Sequence, residues 1–312
     1  MNINKRRFGA VPLILLLALS GCMGAEPREA PSAGKIRVVA TIYPLYEFAR
    51  EVGKDRADVT QMIPPGVEAH TYEPKPSDIV RVSESDVLVI NGAGLEKWAR
   101  DMIAEAGNER LRVVDSSLHA NLLPASGDGP QAQAPGGSDP HIWLDFQNDQ
   151  MIVDAIADAM SGADPPNRDY YIANADAYKS KLENLDASYA EDLRSCENRE
   201  YITGGHRAFG YLDRRYNLTE LAAYGTSPDS EPSPRRIRAL ADIAREHRLG
   251  YVYVERLVSP KAGEALAAEV DAKTLILDPG HNIAPSQLNT GEDFISIMRV
   301  NLVNLRIGLV CA

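Results

Sequence analysis

The sequence predicts an α/β fold of two lobes, each a parallel sheet flanked by helices, joined by one long rigid spine helix. Three observations predict it. Short β-branched runs alternate with helical patterns through both halves of the chain. A single apolar stripe of helical period lies between the halves. The length, 312 residues, fits about two domains at roughly 150 residues each. With 44% hydrophobic and 25% charged residues the chain has enough apolar surface for packed cores, which argues against wholesale disorder. Its 33 Lys+Arg against 44 Asp+Glu give a net charge of −11 with no basic stripe, which speaks against nucleic acid as a partner and suits the collection of cations. Three Cys are too few for a disulfide-built scaffold.

The chain opens on an export pattern. Lys5, Arg6 and Arg7 precede an apolar run from Val11 to Leu19, shorter than the about 20 residues a spanning helix needs. Leu19-Ser20-Gly21-Cys22 resembles a bacterial lipobox. Residues 1–21 are therefore expected to be a lipoprotein signal peptide, and Cys22 the lipidated new N-terminus. An ordinary signal peptide with a chance Cys is the alternative. Two or more acyl chains would hold the protein to a membrane from the extracytoplasmic side, at a bacterial cell surface or in a periplasm. Residues 22–35 are small, polar and Pro-containing, as a flexible tether requires.

The first α/β lobe is expected over residues 36–164. Ile36–Ile42, Val59–Ile63, Asp86–Asn91 and Arg112–Val114 read as strands, with helical patterns at Leu45–Val52, Ser77–Ser83 and Leu95–Glu105. Residues 120–140 are a Gly/Pro/Ala/Gln stretch without periodicity and read as a mobile surface loop. Residues 165–195 form the linking helix. Tyr171, Ala175, Tyr178, Leu182, Leu185 and Tyr189 recur at alternating spacings of four and three, one apolar face that at 1.5 Å per residue would run roughly 40 Å across both lobes. The second α/β lobe takes residues 196–312. Glu200–Thr203, Leu218–Ala223, Gly250–Glu255 and Thr274–Leu277 read as strands; Pro234–Glu246, Pro260–Val270 and Asp293–Leu309 read as helices.

In open parallel sheets, ligands bind beyond the carboxyl ends of the strands. His70 follows the second strand through Pro64-Pro65-Gly66-Val67-Glu68-Ala69, His206 follows Gly204-Gly205 after a strand, and Asp278 ends the last strand. His141 sits in Asp139-Pro140-His141-Ile142-Trp143-Leu144-Asp145, directly after the Gly/Pro loop. Two of these four residues belong to each lobe, so a site between the lobes would use all of them. Three imidazoles and a carboxylate suit tetrahedral Zn²⁺, with Mn²⁺ or Fe²⁺ less well served by such a donor set. Separations of 65 to 72 residues match no local metal motif, and isolated histidines packed or solvated for ordinary reasons account for the same residues.

The words PPGVEAHTYEPKPSD (64–78), DPHIWLD (139–145), GGHRAFGYL (204–212), SEPSP (230–234) and YVYVERLVSPKAGEALAAEV (251–270) occur in this order, followed by LILDP (275–279) and FISIMRVNL (294–302). In this the chain resembles the substrate-binding lipoproteins of zinc and manganese ABC transporters, the cluster A-I family. The resemblance runs from about Ile36 to the end. It implies two α/β lobes bridged by a long helix, one divalent metal between them, and His70, His141, His206 and Asp278 as its four ligands. The partners it implies are an ABC permease and its ATPase, with the binding protein a monomer. Manganese-type members usually carry Glu at the third position, so His206 favours Zn²⁺, with Mn²⁺ or Fe²⁺ the alternative cargo. Many zinc members carry a His-rich loop between the first two ligands; here no His lies between His119 and His141.

Glu68 is a candidate near-site acid, and Glu255, at a strand end, either orients a ligand His or forms a structural salt bridge. His281 reads as a solvated loop residue, with a place lining the cleft mouth the alternative, His247 as a helix C-terminal residue facing the dipole, His119 as surface and Trp143 as packing. With Cys22 lipidated, Cys196 and Cys311 would meet at the edge opposite the metal and form a disulfide in an oxidising compartment. An enzyme is not expected: neither HExxH nor GxSxG is present, so a zinc hydrolase is a distant alternative. A metal-stabilised surface adhesin is the third reading.

Overall fold

The computed structural model describes Met1 and residues 34–125, 137–226 and 232–312. The signal peptide, Cys22, most of the tether and the middle of the 120–140 loop lie outside these residues. Among the described residues, no helix is long and apolar enough to cross a membrane.

The first lobe is built on strands β1 (Ile36–Ala40), β2 (Ala57–Gln61), β3 (Val87–Ile90) and β4 (Arg112–Asp115), all parallel, in the order β2-β1-β3-β4. Its crossover helices are α1 (Tyr43–Gly53), α2 (Pro76–Ser83) and α3 (Ala99–Ala106). The near-continuous apolar run of β3 is buried at every residue, as a central parallel strand covered on both faces requires. The sequence expectation for β2, Val59–Ile63, is displaced by two residues, because Met62 and Ile63 leave the strand to begin the turn toward His70.

Three helices go beyond the sequence expectation, two short ones in the second lobe, Gly210–Tyr216 and Pro285–Thr290, and a long one in the first. Helix α4 (Phe146–Ala163) starts at the Asp145 side chain, which accepts the Gln147 N–H, and buries Ile152, Val153, Ile156, Ala157 and Met160 on one face. A three-residue 3-10 turn, Pro165–Asn167, then leads into the spine helix α5 (Arg168–Asp192), 25 residues and so about 37 Å long. Tyr171, Ala175, Tyr178, Leu182, Leu185 and Tyr189 are all buried along it.

The second lobe repeats the plan: β5 (Glu200–Thr203), β6 (Thr219–Ala222), β7 (Tyr251–Val254) and β8 (Lys273–Ile276) are parallel in the order β6-β5-β7-β8. Helices α6 (Gly210–Tyr216), α7 (Pro234–Glu246), α8 (Lys261–Glu269), α9 (Pro285–Thr290) and α10 (Phe294–Gly308) complete it. Helix α7 starts at Pro234 and ends at Glu246, the bounds its Pro and apolar spacing predict.

The spine ties the lobes into one body. Toward its N-terminus, Tyr178 packs on Phe48 of α1 and Asn174 donates to the Val52 carbonyl. Toward its C-terminus, Tyr189 donates to the Met298 carbonyl of α10 and stacks beside Tyr216 of α6. Phe294 of α10 meets Phe48 edge to face at 5.3 Å, so a single apolar core runs through both lobes. A smaller core covers the far face of the second sheet.

This packing has two testable consequences for stability. Cys196 and Cys311 are joined by a disulfide that spans 115 residues and fastens the end of α10 to the segment after the spine. In the chain-entropy picture such a loop contributes up to ~5 kcal/mol, so reduction should lower the melting temperature measured by circular dichroism, and Cys196→Ala should make the protein insensitive to reductant. Glu47 is buried on α1, and burial, only partly offset by Arg50, raises its carboxyl from 4.5 to about 7. The folded state keeps the proton that the unfolded chain has lost, so the contribution of Glu47 is complete below pH ~4.5 and lost as pH rises through about 7. Glu47→Gln should therefore raise the melting temperature at pH 8, leave it nearly unchanged at pH 4.5, and flatten the profile between.

Candidate metal centre

Each lobe delivers its histidines from the carboxyl ends of its strands. The first comes from the turn after β2. Glu68 holds that turn, its Oε1 accepting the backbone N–H of His70 at 3.0 Å. His141 comes from the segment after β4, whose flanks close by an antiparallel bridge at Pro124 and Ser138 before a 3-10 turn, Ile142–Leu144. Asp139 fixes it twice, accepting from its backbone N–H at 3.0 Å and pairing with its Nδ1 at 2.7 Å. Asn91, at the end of β3, donates to the Pro140 carbonyl, and buried Glu96 in turn accepts from the Asn91 and Gly92 N–H groups.

His206 follows β5 through Gly204-Gly205. Glu255, just past β7, accepts the His206 backbone N–H at 2.8 Å and pairs with its Nδ1 at 2.9 Å. The glycine is what lets the carboxylate in: a Cβ on Gly205 would stand 1.8 Å from the Glu255 oxygen. Proton-accepting carboxylates at both Nδ1 atoms place the N–H there and turn the unprotonated Nε2 edges inward.

Those edges converge. His141 Nε2 lies 3.2 Å from His70 Nε2 and 3.1 Å from His206 Nε2. The three form the one group of metal-capable side chains found among the described residues, with ligand atoms all within 4.8 Å of one another. Tetrahedral ligands at about 2.0–2.1 Å from Zn²⁺ stand about 3.3 Å apart, so the spacing fits such an ion. His141 and His206 are fully buried and His70 is half-buried, so the triad meets solvent on the His70 side. Burial holds the His70 imidazolium well below its ordinary value, with further repulsion from His206 and His141. Burial lowers His141 too, against the pull of Asp139.

Asp278 stands outside that group. Its Oδ1 accepts the Gly280 N–H at 2.9 Å, while Oδ2 faces Gln287 Nε2 at 3.3 Å and Arg256 Nε at 3.5 Å. Burial raises its carboxyl, opposed by the Gly280 N–H, His281, Arg256 and Gln287.

The expectation for His281 is corrected by the structure. It is not a solvated loop residue but 2% exposed. Its ring centroid lies 6.1 Å from that of His70 and 5.9 Å from that of His206, and its Nε2 lies 3.3 Å from Glu68 Oε2. The other lobe packs on this turn: Tyr43 donates its backbone N–H to the His281 carbonyl, and Asn282 donates to the carbonyls of Pro64 and Val67. Burial alone would lower the His281 imidazolium, but Glu68, with Glu255 and Asp278 behind it, outweighs burial and lifts it to about 9.

Trp143 is fully buried and donates to the Pro279 carbonyl across the lobes at 2.7 Å. His247 ends α7 and pairs with Glu200, and His119 is exposed; neither joins the site.

Known proteins share this geometry's fold and sequence. A family described as the periplasmic zinc-uptake complex component A matches residues 38–308. The high-affinity zinc uptake system protein ZnuA of Bacillus subtilis is 33% identical over 302 residues, covering 95% of this chain and 94% of that protein. The Zn(II)-bound ZnuA-like domain of Streptococcus pneumoniae AdcA has a TM-score of 0.77 at 31% identity, covering 88% of this chain and 99% of that one. The laminin-binding protein Lmb of Streptococcus agalactiae, described as bifunctional with adhesin and metal-transporting activity, has a TM-score of 0.77 at 30% identity, again over 88% of this chain and 99% of that one. The match of fold, length and sequence means that this chain belongs to the family of the periplasmic zinc-uptake complex component A.

Proposed function

We propose that this chain is the extracytoplasmic solute-binding component of an ABC transporter, capturing Zn²⁺ on His70, His141 and His206 between its lobes and handing it to a membrane permease driven by an ATPase. The observation that carries this reading is the convergence of three Nε2 atoms at 3.1–3.2 Å, two of them held in that tautomer by buried carboxylates. Imidazole donors suit Zn²⁺, whereas Mn²⁺ is better served by carboxylate and water. The zinc named for the Bacillus and Streptococcus relatives supports the same cargo.

Asp139 and Glu255 are committed to the Nδ1 edges, which is a task of binding and not of proton transfer to a substrate. The Leu19-Ser20-Gly21-Cys22 sequence supports attachment through lipid at Cys22, outside the cytoplasm. The lobes are taken as residues 36–164 and 196–312, with 165–195 linking them.

Calorimetric titration of Zn²⁺ into chelator-stripped protein should reveal one tight site per chain. His206→Ala should abolish that tight phase, and weak, multiple binding indifferent to the substitution would refute the reading. Asp139→Asn and Glu255→Gln should each keep the 1:1 stoichiometry but weaken Zn²⁺ about 10- to 100-fold, since each removes the partner that fixes an imidazole. An unchanged affinity in both would show that the carboxylates do not orient the ligands.

A further inference from the structure

We propose that His281 supplies a fourth imidazole to the bound ion, leaving Glu68 and releasing its ring proton to solvent as it does so, so that the cargo site of this chain is built from four histidines. The inference rests on the carrier reading and names the ligand that completes it.

Three observations bear on it. The His281 ring stands edge-on to two of the three converging imidazoles, at interplanar angles of 70° to His70 and 69° to His206. Both of its ring nitrogens are buried and have no hydrogen-bond partner; the 3.3 Å approach of Nε2 to Glu68 Oε2 is an ion-pair contact without hydrogen-bond alignment. Buried polar atoms are nearly always paired, so a ring beside a metal-binding triad with Nδ1 unpaired and Nε2 held only by the Glu68 ion-pair contact calls for a better partner. The backbone is meanwhile held in place: Gly280 adopts a positive φ of 68° that positions the turn, and the His281 carbonyl accepts from Tyr43 of the other lobe. With the backbone so held, the proposed approach to the ion is by rotation of the His281 side chain.

The competing donor is less free. Asp278 has both carboxylate oxygens engaged by Gly280, Gln287 and Arg256, and Asn301 holds its backbone N–H and carbonyl. Turning Asp278 toward the ion would strip the partly exposed Arg256 of this carboxylate and Gln287 of one of its acceptors. Glu68 already accepts the His70 N–H through Oε1, which keeps the turn that presents His70.

A fourth nitrogen donor in place of an oxygen changes selectivity. Zn²⁺, Cu²⁺ and Ni²⁺ are well served by imidazole, Mn²⁺ by carboxylate. His281 thus biases the site against Mn²⁺ beyond what the three other histidines achieve.

The test is X-ray absorption of the Zn²⁺-loaded full chain, counting imidazoles by their multiple scattering, with calorimetry alongside. Four imidazoles are expected in the wild type and in Asp278→Asn, and three in His281→Gln, whose Zn²⁺ affinity should fall about 100-fold. His281→Asp should narrow the Zn²⁺ to Mn²⁺ affinity ratio. Tight 1:1 binding with only three imidazoles in the wild type would overturn the proposal and leave the carrier reading standing, with Asp278, Glu68 or water as fourth donor. Absence of tight binding would overturn both. The wild-type count decides the matter even if a variant fails to fold.

Discussion

Three imidazole edges at 3.1–3.2 Å in a water-poor cleft are an arrangement that a folded chain must be made to hold. Their lone pairs repel, and burial opposes relieving that repulsion by protonation, which is why His70 and His141 are driven below their ordinary range. Two buried acids counter it from behind. Asp139 and Glu255 each take one backbone N–H and one Nδ1 of the residue they serve, so the same carboxylate sets where the histidine sits and which way it points. The site is thus pre-formed on the protein side, and a divalent cation is the species that turns the repulsion into attraction.

Holding it together requires both lobes, since His206 comes from one and His70 and His141 from the other. The shared apolar core does most of this, because separating the lobes would expose Phe48, Phe294, Tyr178 and Tyr189 together. Around the cleft, polar contacts set the register: Trp143 to Pro279, Tyr43 to His281, Asn282 to Pro64 and Val67, and Tyr211 to Asp139. These involve the same short segments that bear the histidines.

Much of this was legible in the sequence, for reasons that differ by residue. Parallel strands announce themselves by β-branched runs, and residues just beyond their carboxyl ends lie near a ligand by topology, so His70 and His206 stand out. The spine is legible because its six buried residues keep a strict helical period across both lobes. Glu255 was readable only as one of two things, since its partner depends on β5 and β7 being neighbours, with Thr203 opposite Tyr253. Helix α4 was not anticipated, although its Asp145 cap and spaced apolar residues carry the usual signal. The misreading of His281 has a different origin. Asp278-Pro279-Gly280-His281 has the composition of an exposed turn. The contacts on it include Tyr43, Glu68 and His70, more than 200 positions away, and no local pattern records those.

The coupling of the lobes also determines how an ion can enter and leave. A wide hinge would have to divide the common core and break the contacts across the cleft at once. The turn bearing His70 faces a smaller barrier, because Pro64, Pro65, Gly66 and Val67 are exposed. Its chief anchors across the cleft are the Asn282 amide and the Gly66 N–H to the Ile283 carbonyl. His70 is moreover the half-buried member of the triad, backed by no carboxylate at Nδ1. His141 and His206 are locked by Asp139 and Glu255, so the histidine that is free to yield is the one at the solvent side. The asymmetry of the three histidines therefore gives the candidate site a fixed floor and a less constrained edge, which suits the capture and release proposed for it.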